Sequence, residues 1–446
     1  MNYHDLNKKE LESLHASLSE QFERVKSEKL SLDLTRGKPG ADQLDLSNDL
    51  DGILNGFYLL QDGTDVRNYG GILGIPEARE FGAELLGSTP DEVMVGGNSS
   101  LTLMYLFLRM MMERWQSAED QPRFLCPVPG YDRHFAICEE FGIDMVTVPM
   151  TDTGPDMDIV ERLVHEDASI KGIWCVPRYS NPTGCTYSDE VVDRMSRLPQ
   201  HAGDDFVIMW DNAYIAHHLA ETPDPLKSIM ACCREADTTK HLVILASTSK
   251  ITFAGAGISF LATAQEQLAQ FEKYLGIAMI GFDKVNQLRH VRFLENQAGL
   301  AAHMEKHRQI LAPKFKSVLS ILETELGGTG IARWTKPNGG YFVSLDTMPG
   351  IASNVIGMAA DAGVKLTPAG ATFPYGRDPE NSNIRIAPTY PPVDQLNKAM
   401  SVLVLCIQLC SFDERNGARG QGLVVDGNFI QKSLEAEAAD GLVEVP

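Results

Sequence analysis

A chain of 446 residues that is 43% apolar has material for two or three domains with sizeable cores, at roughly 150 residues per domain. Its 39 Lys and Arg against 60 Asp and Glu leave a net charge of −21, which argues against a nucleic-acid partner that needs a basic footprint and disfavours anionic membrane surfaces. Net charge does not describe a local pocket, so a small anionic substrate gathered by a few buried arginines stays open.

The N-terminal MNYHDLNKKELESLHASLSE has neither the charged lead nor the apolar stretch of a secretory signal. Leu11, Leu14, Leu18, Phe22 and Val25 recur at helical spacing after Asn7, with Glu10 three residues on, so the pattern predicts an amphipathic helix over 7–27. From about 90 to 265 the texture changes to short apolar runs, each followed by a polar turn: EVMV, RFLCPV, GIWCV, FVIMW, LVILA and ISFLA. Such runs suggest strands buried on both faces of a mostly parallel sheet, with helices at 100–115, 133–141, 156–166 and 188–198 between them. A long helix over 300–325 follows. After it, GGYFVSL, GVKLTPA and NIRIAPT read as short strands around a helix at 351–362. The expected organisation is a large sheet domain over 46–305, a smaller α+β domain made of 1–45 with 306–410, and an acidic tail over 411–446 carrying 7 acidic and 3 basic residues.

Eight cysteines are too few for a disulfide scaffold in a chain this long. Several sit in apolar runs where free thiols pack well, Cys406 and Cys410 among them. No run reaches the roughly 18 uninterrupted apolar residues of a membrane span: Leu101–Leu108 is closed by Arg109, and Ser401–Cys410 contains Gln408. The expectation is a cytoplasmic protein with no membrane and no nucleic-acid partner. Met110, Met111 and Met112 continue a buried helix face. His303 and His307 lie four apart as metal ligands can, but no third ligand is near; a packed or solvated pair is expected, and no metal.

Chemistry is legible where polar residues follow the strands. In an open parallel sheet, ligands bind beyond the carboxyl ends of the strands, and GGNSS, PGYDRH, PRYSNPTG, DNAY and STSK all occupy that position. Lys250 closes STSK after a very apolar run, where burial lowers an amine's pKa and favours the neutral, nucleophilic form able to form a Schiff base. Asp211 ends another apolar run, where a lone carboxylate is costly unless it faces a cation such as a protonated pyridine. Those are the two demands of pyridoxal phosphate chemistry. GGNSS, opening a helix, offers backbone N–H groups to a phosphate.

NPTG at 181–184, DNAY at 211–214 and S-x-S-K at 247–250, about 30 and 39 residues apart, resemble the fold-type I pyridoxal-phosphate aminotransferases. LDLTRGKPG, NYGGILGIPEAR and STSKITFAGAGISF further resemble subgroup Ic of the aspartate aminotransferases. The resemblance implies the α/β fold of fold-type I transferases, a mostly parallel central sheet plus a smaller α+β domain, with pyridoxal 5'-phosphate as cofactor. It implies that Lys250 holds the cofactor and shuttles the proton, that Asp211 pairs with the ring nitrogen, and that Asn181 and Tyr214 bond the phenolic oxygen. Tyr131 would stack on the ring, and Asn98, Ser99, Ser100 and Ser247 would bind the phosphate. Tyr69 would reach the neighbouring subunit's phosphate, implying a homodimer with shared sites. Arg385, in NIRIAP, would clamp the substrate α-carboxylate, a bidentate task ill suited to lysine, aided by Asn181 and the Gly37 backbone.

One position departs from the family pattern. The arginine usual eight residues after the lysine is Ile258 here, so the phosphate needs other donors, such as Ser249, Thr252 or a basic residue from elsewhere. The expected reaction is ping-pong amino transfer between aspartate and 2-oxoglutarate, the distal carboxylate meeting one of Arg36, Arg178, Lys284, Arg289 or Arg292. A decarboxylase or β-lyase on the same scaffold is the alternative, which Arg385 disfavours by holding the carboxylate. A cofactor-sensing domain without turnover is the third reading; only about 30 residues precede the first motif, too few for an ordinary DNA-binding module.

Overall fold

The apolar runs between residues 90 and 265 fold side by side. In the computed structural model, which describes residues 8–115 and 121–415, the strands are β1 (Leu32–Asp33), β2 (Val93–Gly96), β3 (Arg123–Val128), β4 (Asp144–Thr151), β5 (Gly154–Pro155), β6 (Ile170–Cys175), β7 (Val207–Asp211), β8 (Leu242–Ser247), β9 (Ser259–Ala262), β10 (Ala332–Trp334), β11 (Val343–Thr347), β12 (Val364–Lys365) and β13 (Asn383–Ile386). Eight form one sheet in the order β2-β9-β8-β7-β6-β3-β4-β5. From β4 to β8 neighbouring strands are parallel, while β9 runs antiparallel to β8 and β2. Every residue of β7, β8 and β9 is buried, as continuous Val, Ile and Leu runs require when helices cover both faces.

Alternation along each strand divides that burial between two cores. Val93, Val95, Leu125 and Ile173 enter one, while Met94, Phe124, Cys126 and Trp174 enter the other. The predicted helices stand close to their expected limits, at Lys8–Ser27, Ser100–Trp115, Asp132–Phe141, Met157–Glu166, Asp189–Arg197, Gln297–Leu326 and Ala352–Asp361. Asp156 and Ser188 cap two of them by accepting from backbone amides in the first turn. Strand β4 has no counterpart among the predicted runs. It lies near the sheet's outer edge with only one residue fully buried, so it carries no continuous apolar run.

A third core gathers β10, β11 and β13, which form an antiparallel sheet, and the pair β1–β12. The N-terminal segment joins this layer through the parallel register Leu32↔Val364. The strand expected across GVKLTPA shrinks to its two residues in β12, closed by Gly363 on one side and Pro368 on the other. Within the helix Val393–Arg415, the stretch Val393–Asp413 is long and apolar enough to cross a membrane by length and composition, at a mean hydropathy of 1.3, yet its apolar part is 78% buried inside the protein. It continues past Ser411, where a separate tail was expected to begin; that tail, from residue 416 on, lies outside the described residues. All eight cysteines are free thiols, and Cys406 and Cys410 are buried as expected.

Candidate active site

The carboxyl ends of β3, β6, β7 and β8 and the start of the helix Ser100–Trp115 surround one cavity of ≈140 Å³. Ser99, Ser100, Tyr131, Asn181, Asp211, Tyr214, Ser247 and Lys250 line it, together with Ser249, Val176, Ala213, Leu101 and Met104. Residues up to 151 positions apart in sequence meet here because each follows a strand of the same sheet edge.

Asp211 closes β7 with its carboxylate buried. Its Oδ2 lies 3.0 Å from His134 Nε2, and its Oδ1 has no hydrogen-bond partner among the described residues. His134 is itself 2% exposed and stacks on Trp174 with ring centroids 4.1 Å apart, so one edge of the carboxylate is fixed and the other left bare. A bare buried carboxylate oxygen is costly and fits a cationic N–H donor entering the cavity. His134 was not singled out from sequence, although it sits in the PGYDRH motif; its partner is 77 residues away.

Lys250 Nζ lies 5.2 Å from the Tyr214 ring centroid and 6.0 Å from that of Tyr341, with no hydrogen bond or ion pair among the described residues. Burial lowers its pKa below that of an ordinary lysine, opposed only by the Asp211 charge. Burial likewise raises the phenols of Tyr131 and Tyr214 above the usual tyrosine range, so both stay neutral donors. Tyr131 stands just before the helix Asp132–Phe141, its ring edge-on to His134 at 4.9 Å.

Arg385, on β13, reaches the same region from the other layer. Its Nη1 donates to Asp132 Oδ1 at 2.8 Å and lies 3.4 Å from Asn181 Oδ1, and its guanidinium packs over the Phe342 ring at 5.0 Å. The Nε is buried without a partner among the described residues. Gly37 belongs to this arrangement: a Cβ there would fall 2.5 Å from Phe342 Cζ. Gly184 of NPTG is similarly constrained, at φ +72° with its Cβ position 2.4 Å from Pro337.

Other expected residues stand apart from the cavity. Asn98 does not line it; its side chain donates to Ala254 O at 3.3 Å and its carbonyl accepts from Ser249 Oγ. Tyr69 is 85% exposed and does not line this chain's own cavity. Ile258 is buried in the core, its N–H bonded to Thr248 Oγ1 at 2.9 Å. Thr252 cannot serve the phosphate, because its hydroxyl is held by Thr248 and by His290 Nε2 at 2.9 Å.

None of the five candidate cations lines the cavity. Lys284 is buried and donates to the carbonyls of Asn68, at 2.7 Å, and Gly70, bracing the Tyr69 loop. Arg178 donates to Ile215 O at 3.0 Å, and Arg36, Arg289 and Arg292 are exposed. Within the stretch GFDKVNQLRHVRF, a helix runs from Lys284, capped by Asp283, with Lys284 and His290 inward and its arginines outward. His303 and His307 are packed, as expected, and no metal-binding group of side chains occurs among the described residues.

The model of the aspartate amino-transferase family matches residues 6–419. The aspartate aminotransferase of Corynebacterium glutamicum is 43% identical over 415 residues, 91% of this chain and 96% of that protein. The crystal structure of an aspartate transaminase from the same organism superposes with a TM-score of 0.89 at 42% identity, covering 93% of this chain and 99% of the other. The α-aminoadipate aminotransferase of Thermus thermophilus, crystallised with N-(5'-phosphopyridoxyl)-L-leucine, superposes with a TM-score of 0.71 at 21% identity over 86% of this chain and 93% of that one, a likeness of fold.

Proposed function

This chain belongs to the aspartate amino-transferase family of fold-type I, pyridoxal-phosphate-dependent aminotransferases, and we propose that it exchanges an amino group between aspartate and 2-oxoglutarate in a ping-pong cycle. The observation that carries the reading is the bare Oδ1 of Asp211 in a cavity shared with the unpaired amine of Lys250. When bound, pyridoxal phosphate supplies an electron sink for the charge that develops at the substrate Cα.

Asp211 would hold the ring-nitrogen proton on its bare Oδ1, with His134 fixing the other oxygen. Lys250 would hold the cofactor, and its amine would carry the proton to and from the substrate Cα, a task suited to an amine whose pKa burial has lowered. Tyr214 and Asn181 would donate to the ring oxygen, and Tyr131 would cover the ring face. Ser99, Ser100, Ser247 and Ser249, with Asn98 behind them, form the phosphate cup at the N-terminus of the helix Ser100–Trp115, whose dipole favours an anion. Lys250 is the sole cation among the described residues lining the cavity, so hydroxyls, amides and the helix end replace the arginine absent at position 258.

Arg385 binds the α-carboxylate, with Asn181 beside it and the Gly37 backbone closing over Phe342. Holding the carboxylate in an ion pair with Arg385 would favour amino transfer over decarboxylation, which requires that group to leave as neutral carbon dioxide. The name of the Corynebacterium glutamicum relative supports aspartate as donor. The sheet domain over 46–305 and the α+β domain over 1–45 with 306–410 would close on the carboxylate and exclude water. The reading extends to a cytoplasmic homodimer in which Tyr69, exposed and braced by Lys284, serves the partner's phosphate.

Mixing the pyridoxal-loaded enzyme with each of the twenty amino acids and following the cofactor absorbance tests the substrate. Aspartate and glutamate should discharge it fastest; equal rates with alanine or phenylalanine would end the dicarboxylate reading. 2-Oxo acid formed without an amino acceptor would point to lyase chemistry instead.

A further inference from the structure

Behind Lys250 the chain turns sharply, and the carbonyls of Lys250 and Ile251 point into the protein, where neither joins a strand or helix. Side chains from three separate segments supply their partners, and a fourth links them. Ile251 O accepts from His303 Nε2 at 2.7 Å and from His307 Nε2 at 2.9 Å. Lys250 O faces Tyr341 OH and His217 Nε2, each at 3.3 Å. Gln43 ties the two groups together: its Nε2 donates to His307 Nδ1 at 3.1 Å and to Tyr341 OH at 3.0 Å, and its Oε1 accepts from Gly40 N at 3.2 Å.

The pattern assigns the protons. Because Gln43 donates to His307 Nδ1, that ring carries its hydrogen on Nε2, and His303 must do likewise to bond the same carbonyl. The two Nε2 atoms are 3.2 Å apart, a spacing that two neutral rings sharing one acceptor tolerate and two imidazolium ions do not. Burial holds both rings below the ordinary histidine range, His307 at about 4 and His217 at about 3. Two buried imidazoles on one backbone oxygen are a costly way to satisfy one acceptor, and their position, one residue past the reactive lysine, gives that cost a purpose.

We propose that His303 and His307, with His217 and Tyr341 on the adjoining carbonyl and Gln43 between them, are positioning residues that fix the Lys250 turn and so aim its amine at the substrate Cα. The inference rests on the aminotransferase reading and deepens it. None of these side chains lines the cavity; the histidines act through the backbone of the turn, and Tyr341 adds its ring 6.0 Å from Lys250 Nζ. Gln43 lies six residues from Gly37, which places the turn under the same segment that closes over the substrate carboxylate.

The test uses the cofactor-loaded enzyme and the variants H303L/H307L, H303Q/H307Q and Y341F. In the leucine pair, kcat should fall on the order of tenfold or more, as expected for a misplaced reacting group, with KM little changed. The pH midpoint of the cofactor absorbance should shift in the same variant, and glutamine, whose Nε2 can donate in place of the imidazole's, should restore both. Melting temperature alone falling, with kcat and the absorbance midpoint at wild-type values, would overturn the proposal. If the leucine pair does not fold, Y341F makes the same measurement from the other carbonyl: a lowered kcat with a shifted midpoint supports the proposal, and wild-type behaviour overturns it. Reductive trapping of the wild type separates the two readings. A label absent from Lys250 sinks the aminotransferase assignment, whereas a labelled Lys250 with unaffected variants sinks only the positioning role.

Discussion

Replacing Asp211 by Asn should act in opposite directions on the cofactor-free and the loaded protein. The carboxylate is 3% exposed, with His134 as partner for one oxygen and none for the other. An unsatisfied buried polar group costs about 1–3 kcal/mol, more when charged. The amide has the same shape, and its oxygen still accepts from His134, so the cofactor-free variant should be no less stable than wild type and up to about 1–3 kcal/mol more stable. The loaded enzyme loses a charge-assisted hydrogen bond, worth about 1.5–3 kcal/mol, and presents an N–H where an acceptor is needed. At about 1.4 kcal/mol per decade, the loss in cofactor affinity or turnover is at least roughly tenfold. Urea denaturation of the cofactor-free proteins and absorbance titration with pyridoxal phosphate measure the two halves. A cofactor-free variant that is clearly destabilised, together with wild-type affinity and turnover, would refute the assignment of Asp211 to a cationic ring.

Other expectations are equally direct. Arg385→Lys keeps the charge but loses the planar fork packed on Phe342; KM for the amino acid should rise about 10–100-fold in steady-state assays, as losing a buried bidentate pair implies. Gly37→Ala pushes a methyl to 2.5 Å from the Phe342 ring, so the ring must shift beneath Arg385; KM should rise while cofactor affinity, measured by absorbance titration, stays at the wild-type value. Acid should destabilise the fold early. His217 and His307, at about 3 and about 4, stay neutral in the folded state while the unfolded chain protonates them near pH 6.5, so stability is full above that pH and declines as pH falls toward 4. Two such groups contribute a slope of about 2.7 kcal/mol per pH unit, and His307→Gln should remove about half of it in denaturation series between pH 7 and 5.

What sequence revealed and what it hid follow the range of the interactions. Strands buried on both faces announce themselves as continuous apolar runs, and the turns after them carry the reacting groups, so the sheet edge with Lys250, Asp211, Asn181, Tyr131 and Tyr214 could be read one motif at a time. β4 could not, because water on one side breaks its pattern. The supporting contacts were hidden for another reason. His134 meets Asp211 across 77 residues, and Gln43 meets His307 across 264, and neither pairing leaves a local trace. The histidines of the helix Gln297–Leu326 show only a four-residue spacing, which metal ligands and packed rings share; the carbonyl of Ile251 decides between them. Among the candidate cations, Lys284 is spent on the carbonyls around Tyr69, a use that composition and spacing do not distinguish from ligand binding.

The central claim is that one amine, Lys250, carries the cofactor. Sodium borohydride reduction of the protein loaded with pyridoxal phosphate, followed by protease digestion and mass spectrometry, tests it directly. The phosphopyridoxyl mass should appear stoichiometrically on the peptide containing Ser247–Lys250 and be lost from that peptide in Lys250→Ala. A stoichiometric label on any other lysine, or none, would contradict the account.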